Sequence, residues 1–307
     1  MTTLFIHHPD CRGHDMGPGH PESPQRLDAV SDALIAAGVM TLLEEREAPL
    51  VDRECLLRVH DADYLDELEA RVPPWGRVQL DPDTAMNAGS LAAAQRAAAA
   101  AVLATDLVAS GRADNAFCNV RPPGHHALPG RAMGFCFFNS VAVAAAHALA
   151  VHGLARVAVV DFDVHHGNGT EAMFAHDPRV MMVSSFQHPF YPHSGVEGRS
   201  DTMVNVPLPA GSSGARFREV VEREWLPALA RFRPEMLFVS AGFDAHRDDD
   251  MASLALVEDD YAWVTRRIME VAYTHAAGRI VSVLEGGYEL DALGRSAVSH
   301  VRVLAGL

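Results

Sequence analysis

Five short polar segments carry the residues most able to do chemistry. In Asp161-Phe162-Asp163-Val164-His165, a period of two puts Asp161, Asp163 and His165 on one side of an extended chain. Two carboxylates and an imidazole held that close are costly without a cation, so the segment reads as part of a metal site. A salt-bridged loop with a satisfied histidine is the bland alternative. Asp244, in Ser240-Ala241-Gly242-Phe243-Asp244, would by itself read as a cap or turn residue. Together with Asp163 and His165 it makes three protein ligands, the open arrangement of catalytic zinc, whose fourth position takes water. One imidazole with two carboxylates also suits Fe2+ or Co2+.

The other segments supply proton carriers and hydrogen-bond donors. His125 and His126 follow Pro122-Pro123-Gly124, a stiff approach ending in a residue that allows a sharp turn. They suit general bases or ligands; a surface histidine pair is the alternative. Asp161 can then accept a hydrogen bond from one histidine, fixing its tautomer and raising its basicity. Tyr288, in Glu285-Gly286-Gly287-Tyr288, offers a phenol to a developing oxyanion, although such a sequence is often only a turn.

These segments need a scaffold that brings them together. Apolar runs rich in β-branched residues predict strands at Thr3–Ile6, Ala116–Val120, Arg156–Val160, Val180–Val183, Leu237–Val239 and Arg279–Leu284. Helical patterns lie between them at Ser23–Ala37, Ala88–Val108, Ser140–Val151, Arg216–Ala230, Asp259–Ala276 and Ala292–Leu304. Continuous apolar strands alternating with helices predict an α/β fold, an open and mostly parallel sheet with helices on both faces. No linker or repeat interrupts the chain, so residues 1–307 read as one domain. The polar segments follow directly on strands, and in open α/β sheets ligands bind beyond the carboxyl ends of the strands. One cleft is therefore expected.

Composition narrows the partners. The net charge is −15 and all 25 basic residues are arginine. Such a surface repels phosphate backbones, which argues against nucleic acid, and steers cationic substrates inward. Four scattered cysteines without a C-x-x-C pair read as reduced thiols. The N-terminal apolar run Leu4-Phe5-Ile6 is too short for a secretory signal, and no uninterrupted apolar run approaches the roughly 18–20 residues of a bilayer span. A cytoplasmic protein with no membrane partner is expected.

Nearly end to end, the chain resembles the histone deacetylase family of amidohydrolases, with the arginase/deacetylase fold. The resemblance rests on Gly19-His-Pro-Glu22 with Pro24 and Arg26, Arg121-Pro-Pro-Gly-His-His-Ala127, and Gly134-Phe-Cys-Phe-Phe-Asn139. It continues through Asp161-Phe-Asp-Val-His-His-Gly-Asn-Gly-Thr170, Ala241-Gly-Phe-Asp244 and Glu285-Gly-Gly-Tyr288. It implies removal of acetyl or other acyl groups from an amine. Asp163, His165 and Asp244 would be zinc ligands, His125 and His126 the tandem histidines, Tyr288 the transition-state tyrosine, and Asp161 the partner of His125. Asn168 stands where some members have an Asp facing the second histidine, a wording similar to the class II branch. Gly134, Phe135, Tyr191 and Gly286 would line an acyl-lysine-type channel, with Tyr191 where Phe is common. Arg26 would sit in an inner cavity near the acetate exit. A structural K+ is implied at Asp161, Asp163, His165, Ser184 and Ser185.

Substrate identity stays open between an acetylated lysine in a peptide or protein and an acetylated polyamine or other small amide. The run Asp248-Asp249-Asp250 either attracts a second amine or forms a solvated acidic loop; Met251 beside it is apolar. A dinuclear manganese hydrolase would need more ligands, and an inactive acyl-lysine binder would have lost one of the residues above. Monomer and homo-oligomer both remain open.

Overall fold

A computed structural model describes residues 1–197 and 200–307. The described residues form ten strands: β1 (Thr3–His7), β2 (Glu44–Glu47), β3 (Arg77–Asp81), β4 (Thr84–Asn87), β5 (Asn115–Cys118), β6 (Val157–Asp161), β7 (Val180–Gln187), β8 (Met203–Leu208), β9 (Met236–Ala241) and β10 (Ile280–Leu284). Eight of them form one sheet in the order β2-β1-β5-β10-β9-β6-β7-β8, and all its pairings are parallel. The antiparallel hairpin β3–β4 stands apart.

Every residue of β5, β6, β9 and β10 is buried. Because successive side chains point to opposite faces, both faces of the central sheet must be covered. The covering helices fall into two packed groups. Gln25–Ala36, Glu258–His275 and Leu290–Leu304 make one, and Ser90–Ala109 with Ser140–Val151 the other. Ser90–Ala109 is long and apolar enough to cross a membrane by composition, yet Ala97, Ala98, Ala100, Ala101 and Ala104 are buried in the protein interior.

Several elements depart from the sequence reading for identifiable reasons. The edge strand β2 is Glu44-Glu-Arg-Glu47, charged throughout and mostly exposed, so it carries no hydrophobic signal. The opposite edge, β8, contains Pro207, tolerated only where a ladder hydrogen bond is dispensable. β7 continues through Ser184 and Ser185 to Gln187, so these serines lie within the strand rather than after it. β5 stops at Cys118, before Val120. The helix expected at Arg216–Ala230 is Gly214–Val220 and Leu226–Phe232 joined by a π-helical turn, Val221–Trp225. Pro227 has no N–H to continue an α-helical ladder, which accounts for the widened turn.

A buried ion cluster fastens the N-terminal segment beneath the sheet end. Arg121, just past β5, grips Glu22 through two contacts of 2.8 and 2.6 Å and donates to the carbonyls of Cys11 and His14. Arg26 adds a 3.3 Å contact to the same carboxylate. Burial alone would raise the Glu22 pKa, but Arg121 and His14 outweigh it and hold the carboxyl well below its usual range. Removing one partner from such a cluster leaves uncompensated buried charge. Glu22→Gln should therefore lower unfolding free energy by about 3–5 kcal/mol in urea melts, and a loss under about 1 kcal/mol would contradict this account.

Candidate active site

The carboxyl ends of β6, β9 and β10 lie level, with Asp161 paired to Ser240 and Leu284 to Ala241. Beyond β6 the chain is not extended. Asp161 Oδ1 accepts the Asp163 N–H at 3.1 Å and Asp163 Oδ1 accepts the His165 N–H at 2.8 Å, so two successive side-chain-to-backbone turns shape the segment. These turns, rather than strand alternation, place the side chains. Val164 N–H donates to Asp244 Oδ1 at 2.9 Å, tying β6's extension to the segment after β9.

Asp163, His165 and Asp244 thereby offer three ligand atoms within 4.8 Å of one another, all buried. His165 Nδ1 lies 3.0 Å from Asp163 Oδ1 and 3.2 Å from Asp244 Oδ2. Asp244 Oδ2 is buried without a contact of hydrogen-bond geometry among the described residues. Burial and the charge of Asp163 push the Asp244 carboxyl up to about 6. Burial would raise Asp163 too, but His125 and His165 hold it below the usual carboxylate range. His165, flanked by both carboxylates, rises to about 9 although burial opposes it. A cation among these atoms would satisfy the orphaned oxygen and relieve the crowding of charge.

The two histidines have different partners. His125 Nδ1 meets Asp161 Oδ2 at 3.0 Å, whereas His126 Nδ1 meets the Asn168 amide oxygen at 2.8 Å. Burial lowers both, yet Asp163 and Asp161 drive His125 well above the usual histidine value. Burial, His125 and His165 keep His126 well below it. His126 lines the cavity described below, and its ring centroid lies 4.0 Å from that of His125.

That cavity, of about 230 Å³, is lined by Asp83, His126, Gly134, Phe135, His165, Phe190, Tyr191, Met251 and Tyr288. In its Gly134–Phe135 wall both residues adopt positive φ, which is free for Gly134 but strained for Phe135. Such a conformation costs a non-glycine residue about 1–3 kcal/mol. The β3–β4 turn holds it: Gly134 N–H donates to Asp83 Oδ1 and Phe135 N–H to Thr84 Oγ1, both at 3.0 Å. The Tyr288 ring stands edge-on to Phe135, with the Arg26 guanidinium 4.9 Å from its centroid. Burial drives the Tyr288 phenol pKa far up, so it stays a donor.

Gly286 and the acidic run depart from the sequence reading. Gly286 does not line the cavity. Its N–H donates to Asp163 Oδ2 at 2.9 Å, and a Cβ there would come within 2.0 Å of Asp244 Oδ2. Arg26 is fully buried, donating to the Gly287 and Glu285 carbonyls beneath Tyr288. Of the acidic run, Asp248 pairs with Arg295, Asp249 is buried and Asp250 is exposed, so neither an amine trap nor a uniformly solvated loop describes it. Sequence reasoning missed Asp83, Phe190, Arg121's partner Glu22, and Glu285. The Glu285 carboxylate accepts the N–H groups of Gly124 and His125, and burial lifts its pKa to about 7. The turn Asp81-Pro82-Asp83 was the available signal for Asp83; a lone Glu before Gly-Gly gave none.

Asp106, His147 and His152 form a second compact group. Both imidazoles meet the single oxygen Asp106 Oδ1, at 2.8 and 2.7 Å. Arg58 Nη1 lies 3.3 Å from His147 Nδ1. A donor there makes Nδ1 an acceptor and leaves the hydrogen on Nε2, facing Asp106. This group is satisfied by hydrogen bonds, unlike the one at Asp244.

The close approach at Gly286 generates a direct test. Gly286→Ala must force Asp163 and Asp244 apart, and metal affinity measured by chelator competition should fall about 10–100-fold, the range for a residue supporting ligands. Wild-type affinity would contradict the geometry.

The chain is similar to known proteins over most of its length. A family profile described as "Histone deacetylase domain" matches residues 20–304. The chain is 42% identical over 277 residues to the histone deacetylase-like amidohydrolase of Pseudomonas aeruginosa, covering 88% of this chain and 73% of that one. It is 36% identical over 318 residues to a probable deacetylase of Archaeoglobus fulgidus, covering 100% and 87% respectively. The crystal structure of the HDA15 HD domain superimposes with a TM-score of 0.94 at 32% identity, covering 99% of this chain and 90% of that one. With its eight-stranded parallel sheet and its buried Asp-His-Asp cluster beside paired histidines and a tyrosine, the chain belongs to the histone deacetylase family and is a hydrolytic deacetylase.

Proposed function

We propose that the enzyme is a zinc-dependent deacetylase acting on acetyl-lysine-type substrates. The observation that carries this reading is that His165, grouped with Asp163 and Asp244, lines one cavity together with His126 and Tyr288. The orphaned Asp244 Oδ2 and a single imidazole between two carboxylates fit Zn2+, and Fe2+ or Co2+ by the same chemistry. When bound, the metal supplies Lewis-acid polarisation of the amide and acidifies water. A structural K+ is proposed at Asp161, Asp163, His165, Ser184 and Ser185; the buried Ser184 Oγ, without a hydrogen-bond partner among the described residues, favours it.

The chain's own residues divide the remaining work. Asn168 presents an oxygen, so His126 Nδ1 carries the hydrogen and Nε2 is left as the basic atom. His126 accepts a proton from the attacking water there and returns it to the departing amine. His125, oriented by Asp161, lies behind it and sets the local charge. Tyr288 donates its phenolic hydrogen to the developing oxyanion. Phe135, Phe190, Tyr191 and Met251 give the acyl-lysine chain apolar walls and exclude water.

A lysine side chain fits this lining better than a polyamine. The segment after Asp244 contributes Met251 to the cavity rather than a carboxylate for a distal amine, and Oδ1 of Asp83 is already engaged by Gly134 and Thr84. In parallel assays, an acetyl-lysine peptide should be hydrolysed with higher kcat/KM than acetylputrescine; the reverse order would shift the assignment to polyamines. Tyr288→Phe should lower kcat about 10²–10³-fold while metal content holds, and near-wild-type turnover would remove its role. Asp163→Ala should lose the metal, read by elemental analysis of the purified variant.

A further inference from the structure

Asp249 uses its whole carboxylate on backbone N–H groups. Oδ2 accepts from Tyr288 at 2.6 Å and from Glu289 at 3.1 Å, and Oδ1 accepts from Met251 at 3.0 Å. The side chain is buried although Asp248 and Asp250 on either side are exposed. Its own N–H is fixed to the carbonyl of His246, two residues from Asp244. One carboxylate thus joins the segment that leaves Asp244, the cavity wall at Met251 and the backbone of Tyr288.

The position of Tyr288 needs such a fastening. It lies beyond the end of β10, outside any strand ladder, and two glycines precede it. Gly287 takes φ +118°, a conformation with no side chain to lock it. Below the ring, Arg26 holds the Gly287 carbonyl at 2.6 Å. Two charge-assisted hydrogen bonds from the Tyr288 and Glu289 N–H groups to Asp249 fix the residues that follow Gly287. Bonds of this kind decide whether a donor sits where an oxyanion forms, and a shift of about 1 Å can cost roughly 100-fold in rate.

We infer that Asp249 is the positioning residue for Tyr288, holding its backbone against the segment that carries Met251. This rests on the oxyanion-donor role proposed for Tyr288. Asp249→Asn keeps the shape but presents an amide N–H₂ to at least one backbone donor.

The test is a double-mutant cycle on the metal-loaded enzyme. Asp249→Asn should lower kcat about 10–100-fold with metal content retained and KM changed less than about threefold. In the Tyr288→Phe background the same substitution should change kcat by no more than about twofold, because the group it positions is gone. Equal losses in both backgrounds would overturn the inference, as would loss of metal or wild-type turnover in Asp249→Asn. Full turnover in Tyr288→Phe alone would instead overturn the role of Tyr288. Should Asp249→Asn fail to fold, Asp249→Glu takes its place in the cycle, since it keeps the charge and both acceptors but displaces them. A kcat loss confined to the Tyr288 background then supports the inference, and equal losses in both backgrounds overturn it.

Discussion

Concentrated negative charge at the ends of three adjacent strands is the constraint on which the rest of the structure depends. Asp161, Asp163, Asp244 and Glu285 all lie within 1% of full burial at the ends of β6, β9 and β10. Four carboxylates cannot remain there ionised without compensation. Asp161 has His125 and a backbone N–H, Glu285 has two backbone N–H groups, and Asp163 has His165 and the Gly286 N–H. Asp244 has the Val164 N–H on one oxygen, while its other oxygen has only the 3.2 Å contact to His165 Nδ1, without hydrogen-bond geometry among the described residues. The uncompensated remainder therefore falls between Asp163, His165 and Asp244, which is where a cation would be most stabilised.

The surroundings follow as consequences. Strand register sets the three ends level, so the carboxylates meet without long loops. Glycine is required where backbone must pass beside them: a Cβ at Gly242 would come within 2.1 Å of Asp163 Oδ2, as one at Gly286 would meet Asp244. The neighbouring histidines differ in surroundings: burial, His125 and His165 lower His126, while Asp163 and Asp161 raise His125 against burial, which separates their proton affinities. Farther out, the Glu22–Arg121 cluster supports Arg26, and Arg26 supports the turn that carries Tyr288.

Much of this was legible in the sequence because it is written in local patterns. Buried central strands are continuous apolar runs, and the polar residues that follow them stand out; Asp163, His165, Asp244, His125, His126 and Tyr288 were all visible in that way. What could not be read depends on tertiary context. β2 is entirely charged, β8 contains a proline, and Pro227 widens a helix whose periodicity looks unbroken. Gly286 carries no side chain to announce that it touches the carboxylates. Asp249, between two exposed aspartates, has a different environment that only the fold supplies. Period-two alternation grouped Asp161, Asp163 and His165, but the side chains are placed by two turns, each built by an aspartate on the backbone two residues on.

The site proposed for a single metal ion is Asp163, His165 and Asp244, and anomalous diffraction from crystals of the zinc-loaded enzyme at the zinc edge tests it most directly. The account predicts one strong peak within about 2.0–2.2 Å of ligand atoms of all three residues. A map with no peak there, or with its principal peak at Asp106, His147 and His152, would contradict it.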